Sequence, residues 1–71
     1  MKFENKTLDE VLDVITGMNL RVDGQVPLTD WNEEHYKILQ QDGDWIGDVY
    51  KNRSEKGIEV YGPPLMLEQL K

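Results

Sequence analysis

The sequence predicts a small α+β fold, in which one or two helices pack on one face of a small, mainly antiparallel sheet. A capped segment with helical periodicity lies near the start of the chain, and two β-rich segments separated by a polar turn lie near its end. A sheet of two or three strands is only marginally stable in water, so helices are expected to cover one of its faces. With 71 residues, the chain is expected to form a single domain over residues 1–71.

The first helix is predicted over residues 8–16. Thr7 and Glu10 have the spacing of a capping box, in which each side chain accepts a hydrogen bond from the backbone N–H of the other residue. The apolar residues that follow recur on one helical face: Leu8, Val11, Leu12 and Ile15. Gly17 is predicted to end the helix as the residue just beyond its C-terminus, a position that is commonly left-handed.

Residues 29–42 fit two interpretations. A helix is favoured, because the capping-box spacing recurs at the start of this segment. Its apolar face would consist of Trp31, His35, Ile38 and Leu39. The alternative is a strand from Tyr36 to Gln40, in which Tyr36 and Ile38 face the core.

The remaining segments are predicted as strands and a short helix. Residues 19–22 form a short strand before a turn, and residues 45–52 are rich in β-branched and aromatic residues. A polar turn over residues 52–57 connects this segment to the alternating residues 58–61, which predicts a hairpin. A short C-terminal helix is expected to begin at Pro64, because proline is favoured at the first helical position.

The composition excludes several classes of function. The net charge is −6, which argues against direct binding to nucleic acid or to anionic lipid, since both need clustered basic residues. The sequence has no cysteine, so disulfides and thiolate metal sites are excluded. No stretch has the ~20 apolar residues needed to span a bilayer, and no secretory signal is apparent, which predicts a cytoplasmic protein without membrane contact.

No pattern of catalytic or metal-binding residues occurs. His35 is the single histidine, and the chain has no cysteine, so it lacks the four nitrogen or sulfur ligands that a structural zinc site needs. Residues 42–48 begin like a calcium-binding loop, but Ile46 and Arg53 occupy two positions that need oxygen ligands. Ser54, the only serine, is not in a nucleophile motif, and no phosphate-binding loop is present. The sequence therefore predicts a non-enzymatic protein without a cofactor or metal.

Aromatic and acidic residues are interleaved between residues 30 and 61 and predict a surface that binds a protein. Tryptophan and tyrosine are enriched in interface hot spots, and interleaved acids favour a basic partner. The expected anchors are Trp31, Tyr36, Trp45 and Tyr50, and the expected polar rim is Asp44 and Asp48. Strand alternation predicts that Trp45 and Tyr50 lie on opposite faces of the sheet, and it leaves open whether Trp45 fills the core or belongs to the binding surface.

The leading hypothesis is a small regulator or inhibitor that binds another protein, which could be a basic, nucleic-acid-binding one. Small acidic proteins of this size are common among phage-encoded regulators. One alternative is a homodimer or a structural subunit, associating through a β edge and the leucine-rich C-terminal segment, residues 65–70. The other alternative is a small-molecule binder.

Residues 3–16 read Phe-Glu-Asn-Lys-Thr-Leu-Asp-Glu-Val-Leu-Asp-Val-Ile-Thr. This segment resembles the opening of the short N-terminal domain of secretins and TonB-dependent receptors. The resemblance implies a strand leading into a capped helix, in agreement with the helix predicted over residues 8–16. It covers 14 of the 71 residues. The rest of the chain departs from that family, whose domain continues with a second strand–helix unit, so the resemblance implies no function.

Overall fold

A computed structural model describes residues 1–24, 32–53 and 55–71. The elements in chain order are β1 (Lys2–Phe3), α1 (Leu8–Gly17), β2 (Arg21–Asp23), β3 (Asn32–Leu39), β4 (Trp45–Asn52), β5 (Ile58–Tyr61) and α2 (Pro64–Leu70). The five strands form one antiparallel sheet in the order β1-β5-β4-β3-β2. The predicted α+β class, with helices on an antiparallel sheet and a short C-terminal helix, is confirmed.

The two helices pack on the same face of the sheet. Strands β2 to β5 are neighbours in both sequence and space, and β1 pairs with β5 at the edge opposite β2. Because α1 lies between β1 and β2 in the chain, it connects the two edges of the sheet. The buried core joins α1, α2 and alternate strand residues: Phe3, Val11, Ile15, Ile38, Val49, Ile58, Val60, Met66 and Leu70. Residues 65–70, which could have supplied a contact between subunits, thus place two side chains in the core of their own chain.

The start of α1 agrees with the sequence prediction, and its end does not. The Thr7 hydroxyl accepts a hydrogen bond from the Glu10 amide at 3.2 Å, and the Glu10 carboxylate accepts one from the Thr7 amide at 3.2 Å. The prediction that Gly17 takes the left-handed position is wrong: Gly17 is the last helical residue, and Asn19 has φ 61°. Asparagine tolerates this conformation better than most residues. The chain therefore turns later, and β2 begins at Arg21 rather than at residue 19.

The favoured helix over residues 29–42 is wrong for the part of this segment that the structure describes. Residues 29–31 lie outside the described residues, and Asn32–Leu39 forms strand β3. Tyr36 and Ile38 face the core, as the alternative interpretation predicted. This strand is hydrogen-bonded to β4 along most of its length and to β2 at its end. Pairing and burial therefore override the local helical pattern, as tertiary context often does.

Because Gly17 lies inside α1 without a left-handed conformation, it should destabilise the helix. A Cβ added at Gly17 would meet no atom within 4 Å. We expect Gly17→Ala to raise the free energy of unfolding by about 0.5–1 kcal/mol, because alanine loses less backbone entropy on folding. Urea denaturation followed by circular dichroism measures this. Gly57→Ala is the matched control: it should destabilise, since Gly57 has φ 86° and its Cβ would lie 2.7 Å from the Phe3 carbonyl oxygen.

Candidate interaction face

We call the sheet face turned away from α1 and α2 the open face. It carries an ordered array of side chains from all five strands. The strand register arranges these side chains in three rows across the sheet. The first row is Lys2, Glu59, Tyr50 and His35; the second is Tyr61, Asp48, Lys37 and Asp23; the third is Trp45, Leu39 and Arg21. Trp45 and Tyr61 are the large apolar side chains of this array that are most exposed, at 56% and 49%.

The centre of the open face is a connected group of polar and aromatic side chains. The His35 Nε2 atom is hydrogen-bonded to Asp48 Oδ1 at 2.9 Å. The His35 ring meets the Tyr50 ring edge-on at 5.3 Å, and Tyr50 lies against Tyr61 with ring centroids 5.6 Å apart. Burial, hydrogen bonding with Tyr61 and the negative charges of Glu59 and Asp48 raise the pKa of Tyr50 far above its ordinary value. The Tyr50 side chain is therefore a neutral phenol at physiological pH.

Trp45 forms one end of the open face. Its indole Nε1 donates a hydrogen bond to the Gly47 carbonyl at 2.8 Å, so the polar atom of the ring is satisfied within the chain. The Lys37 ammonium lies 4.7 Å from the Trp45 ring centroid, in a cation–π contact. What Trp45 offers to another molecule is therefore mainly apolar ring surface.

The prediction that Trp45 and Tyr50 lie on opposite faces is wrong, and a β-bulge is the reason. Ile38 pairs with Gly47, but the next residue of β3, Leu39, pairs with Trp45. One extra residue of β4 therefore interrupts the alternation of side chains. Trp45 consequently lies on the same face as Tyr50, where its ring contacts Lys37.

Tyr36 lies on the other side of the sheet from these residues. It is half-buried against the core, and its hydroxyl donates a hydrogen bond to Glu34 Oε1 at 3.2 Å. Burial, followed by this hydrogen bond, raises the pKa of Tyr36. The structure therefore does not bring Tyr36 together with Trp45 or Tyr50.

The other predicted site residues have three different positions. Asp48 lies at the centre of the open face, next to His35. Asp44 is exposed in the turn before β4, where its amide donates a hydrogen bond to Asp42 Oδ1 at 2.9 Å. Trp31 lies outside the described residues. Of the six predicted residues, the structure thus brings together Trp45, Asp48 and Tyr50.

Eight members of the open face are not among the predicted site residues: Lys2, Arg21, Asp23, His35, Lys37, Leu39, Glu59 and Tyr61. A signal existed for Glu59 and Tyr61, because they alternate with the buried Ile58 and Val60 in a segment that was correctly predicted as a strand. His35 and Lys37 alternate with Tyr36 and Ile38 in the same way. They would have been found only if β3 had been predicted as a strand.

The charges of the open face balance each other. Its three basic residues, Lys2, Arg21 and Lys37, match its three acidic residues, Asp23, Asp48 and Glu59. The net charge of −6 is therefore carried by residues outside this array. Acidic and aromatic residues are interleaved in the sequence, but the open face combines aromatic rings with charges of both signs.

The described residues contain no group of three or more histidine and carboxylate side chains that could hold a metal ion. A cleft of about 420 Å³ lies beside the outer edge of β1, and its lining includes Phe3 and Leu70. Within the described part of the chain, neither helix is long and apolar enough to cross a membrane.

Comparison with family models, curated proteins and solved structures found no match to this chain.

Proposed function

We propose that this chain is a non-enzymatic protein-interaction module, a small regulator or inhibitor, and that it binds its protein partner through the open face. The observation that carries this proposal is the position of Trp45 and Tyr61. Both rings are about half exposed on the face of the sheet that α1 and α2 leave uncovered.

The composition of the open face supports a protein as the partner. Aromatic rings supply large contact area at low entropic cost, and the half-buried charges around them can form the polar rim of an interface. Strands spaced by about 4.8 Å, with a rise of about 3.3 Å per residue, give a broad surface rather than an enclosed pocket. Small ligands favour concave sites, whereas proteins bind surfaces of this shape.

A basic partner is favoured by the charge of the whole chain, and less by the open face itself. The net charge of −6 attracts a basic protein at long range and accelerates association. Because the open face is balanced in charge, added salt should slow association more than it accelerates dissociation.

The double variant Trp45→Ala/Tyr61→Ala tests the proposal. We expect it to stay folded, because both side chains are exposed, and to lose the partner that the wild-type chain retains in affinity capture from its native host. The matched control is Leu65→Ala, which removes a side chain that is 82% exposed on α2, away from the open face. This control should retain the partner.

Two further measurements accompany the capture experiment. Circular dichroism must show that both variants are folded, and light scattering must establish the mass of each complex. Equal capture of the partner by the wild type and the double variant would contradict the proposal. Recovery of a wild-type homodimer without a second protein would also contradict it, and would support self-association.

A further inference from the structure

We propose that the part of the open face formed by Tyr50, Tyr61, Asp48 and Glu59, which we call the tyrosine site, receives an arginine side chain of the partner protein. This inference rests on the proposed function and specifies the chemistry of the partner at one point of the interface.

The two rings of the tyrosine site suit a planar cation. Tyr61 is 49% exposed and lies beside Tyr50, with ring centroids 5.6 Å apart and planes inclined by 34°. Guanidinium groups stack on aromatic faces more readily than ammonium groups do, because they are planar and more weakly hydrated. The exposed surface of Tyr61 therefore offers a platform for arginine.

Two carboxylates stand beside the rings of the tyrosine site, and each also has a basic neighbour in its row, Lys2 beside Glu59 and Lys37 beside Asp48. Glu59 lies directly opposite Tyr50 in the sheet, and Asp48 lies directly opposite Tyr61. Burial is the largest cause of the raised pKa of Tyr50, and the charges of these two carboxylates add to it. Arginine can donate to carboxylates through several N–H groups while its plane rests on a ring.

Both carboxylates retain capacity for another donor. The His35 contact uses Asp48 Oδ1, and a carboxylate has a second oxygen. Glu59 Oε2 forms an ion pair with the Met1 amino group at 3.9 Å, too far for a hydrogen bond, so the Glu59 carboxylate can still accept one; the amino group donates a hydrogen bond to the Val60 carbonyl at 2.7 Å.

At the opposite end of the open face, the chain already contains a contact between a cation and an aromatic ring. The Lys37 ammonium lies 4.7 Å from the centroid of the Trp45 ring. In the described part of the chain, no basic side chain makes the corresponding contact with Tyr50 or Tyr61. An incoming cation would therefore find the aromatic site at Tyr61 available and the one at Trp45 occupied.

The test is an NMR titration of the ¹⁵N-labelled chain with Nα-acetyl-arginine amide. Its matched control is Nα-acetyl-citrulline amide, which has nearly the same shape without the charge. We expect saturable shifts at the amides of residues 48–50 and 59–61 with arginine, and none with citrulline. Glu59→Gln should weaken arginine binding by roughly three- to fivefold, the effect of losing one charge contact at a half-buried position.

Further variants locate the effect. Tyr61→Leu, which keeps apolar bulk and removes the ring, should also weaken binding, whereas Trp45→Ala should not. Asp13→Asn removes an exposed acidic charge on α1 and should leave binding unchanged. Equal shifts with citrulline, or shifts that map to α1, would overturn the inference.

The two proposals can fail separately. If the Trp45→Ala/Tyr61→Ala variant loses the partner but arginine produces no shifts, the arginine inference is overturned and the proposed function stands. If arginine binds at the tyrosine site but the double variant still captures the partner, the proposed function is overturned.

Discussion

Replacement of Leu70 by alanine is expected to unfold much of the protein at room temperature. Leu70 is fully buried at the end of α2, where it belongs to the same core as Val11 and Ile15 of α1. Removing a buried leucine side chain costs about 2–5 kcal/mol, because transfer free energy is lost and a cavity remains. A domain of this size has only about 3–5 kcal/mol available from its core. The substitution therefore removes most of the stability.

The matched control for Leu70→Ala is Leu65→Ala. It is the same chemical change in the same helix, but Leu65 is 82% exposed, so we expect a change below about 0.5 kcal/mol. Urea denaturation followed by circular dichroism measures both variants. Equal stability of the two variants would show that α2 does not contribute to the core. A core role also means that deletion of residues 65–71 should unfold the chain rather than dissociate a dimer.

Gly47→Ala is expected to cost about 3 kcal/mol or more, at or above the upper end of typical overpacking effects. Gly47 is buried in β4, and an added Cβ would lie 2.1 Å from the backbone carbonyl oxygen of Tyr61. A backbone atom cannot rotate away as a side chain can, so β4 and β5 would have to separate. Because the Gly47 carbonyl also accepts the Trp45 indole hydrogen bond, we expect the open face to be disturbed as well.

Chemical denaturation gives the stability of Gly47→Ala, and the ¹⁵N–¹H signals of Trp45 and Tyr61 report the local change. Gly43→Ala is the control for strain without a clash: Gly43 has φ 94° and no atom within 4 Å of an added Cβ. It should cost about 1–2 kcal/mol. Wild-type stability of Gly47→Ala would contradict the close approach of the two strands.

Elements with strong local signals could be predicted from the sequence. The Thr7–Glu10 capping box placed the start of α1, and Pro64 placed the start of α2. Strands β4 and β5 have the predicted bounds, residues 45–52 and 58–61. In each case, short-range chemistry and tertiary packing favour the same structure.

The features that were mispredicted depend on contacts between distant segments. The apolar residues of β3 fit helical periodicity as well as alternation, and only pairing with β2 and β4 decides between them. The face on which Trp45 lies depends on the bulge opposite Leu39, which is a property of two strands together. The open face could not be assembled from the sequence for the same reason, because its members come from all five strands.

The pairing of β1 with β5 has a consequence for synthesis on the ribosome. Phe3 is synthesised long before Ile58, its partner in the sheet. Local pairing of β3 with β4 can form on the growing chain, but β1 must remain without its strand partner until β5 has emerged. The loop between β1 and β5 therefore closes last, with a loss of conformational entropy, when α2 also becomes available to cover the core. Until β5 and α2 have been made, the core that surrounds Val11 and Ile15 is incomplete, and a chaperone that binds nascent apolar segments would encounter α1 in this state.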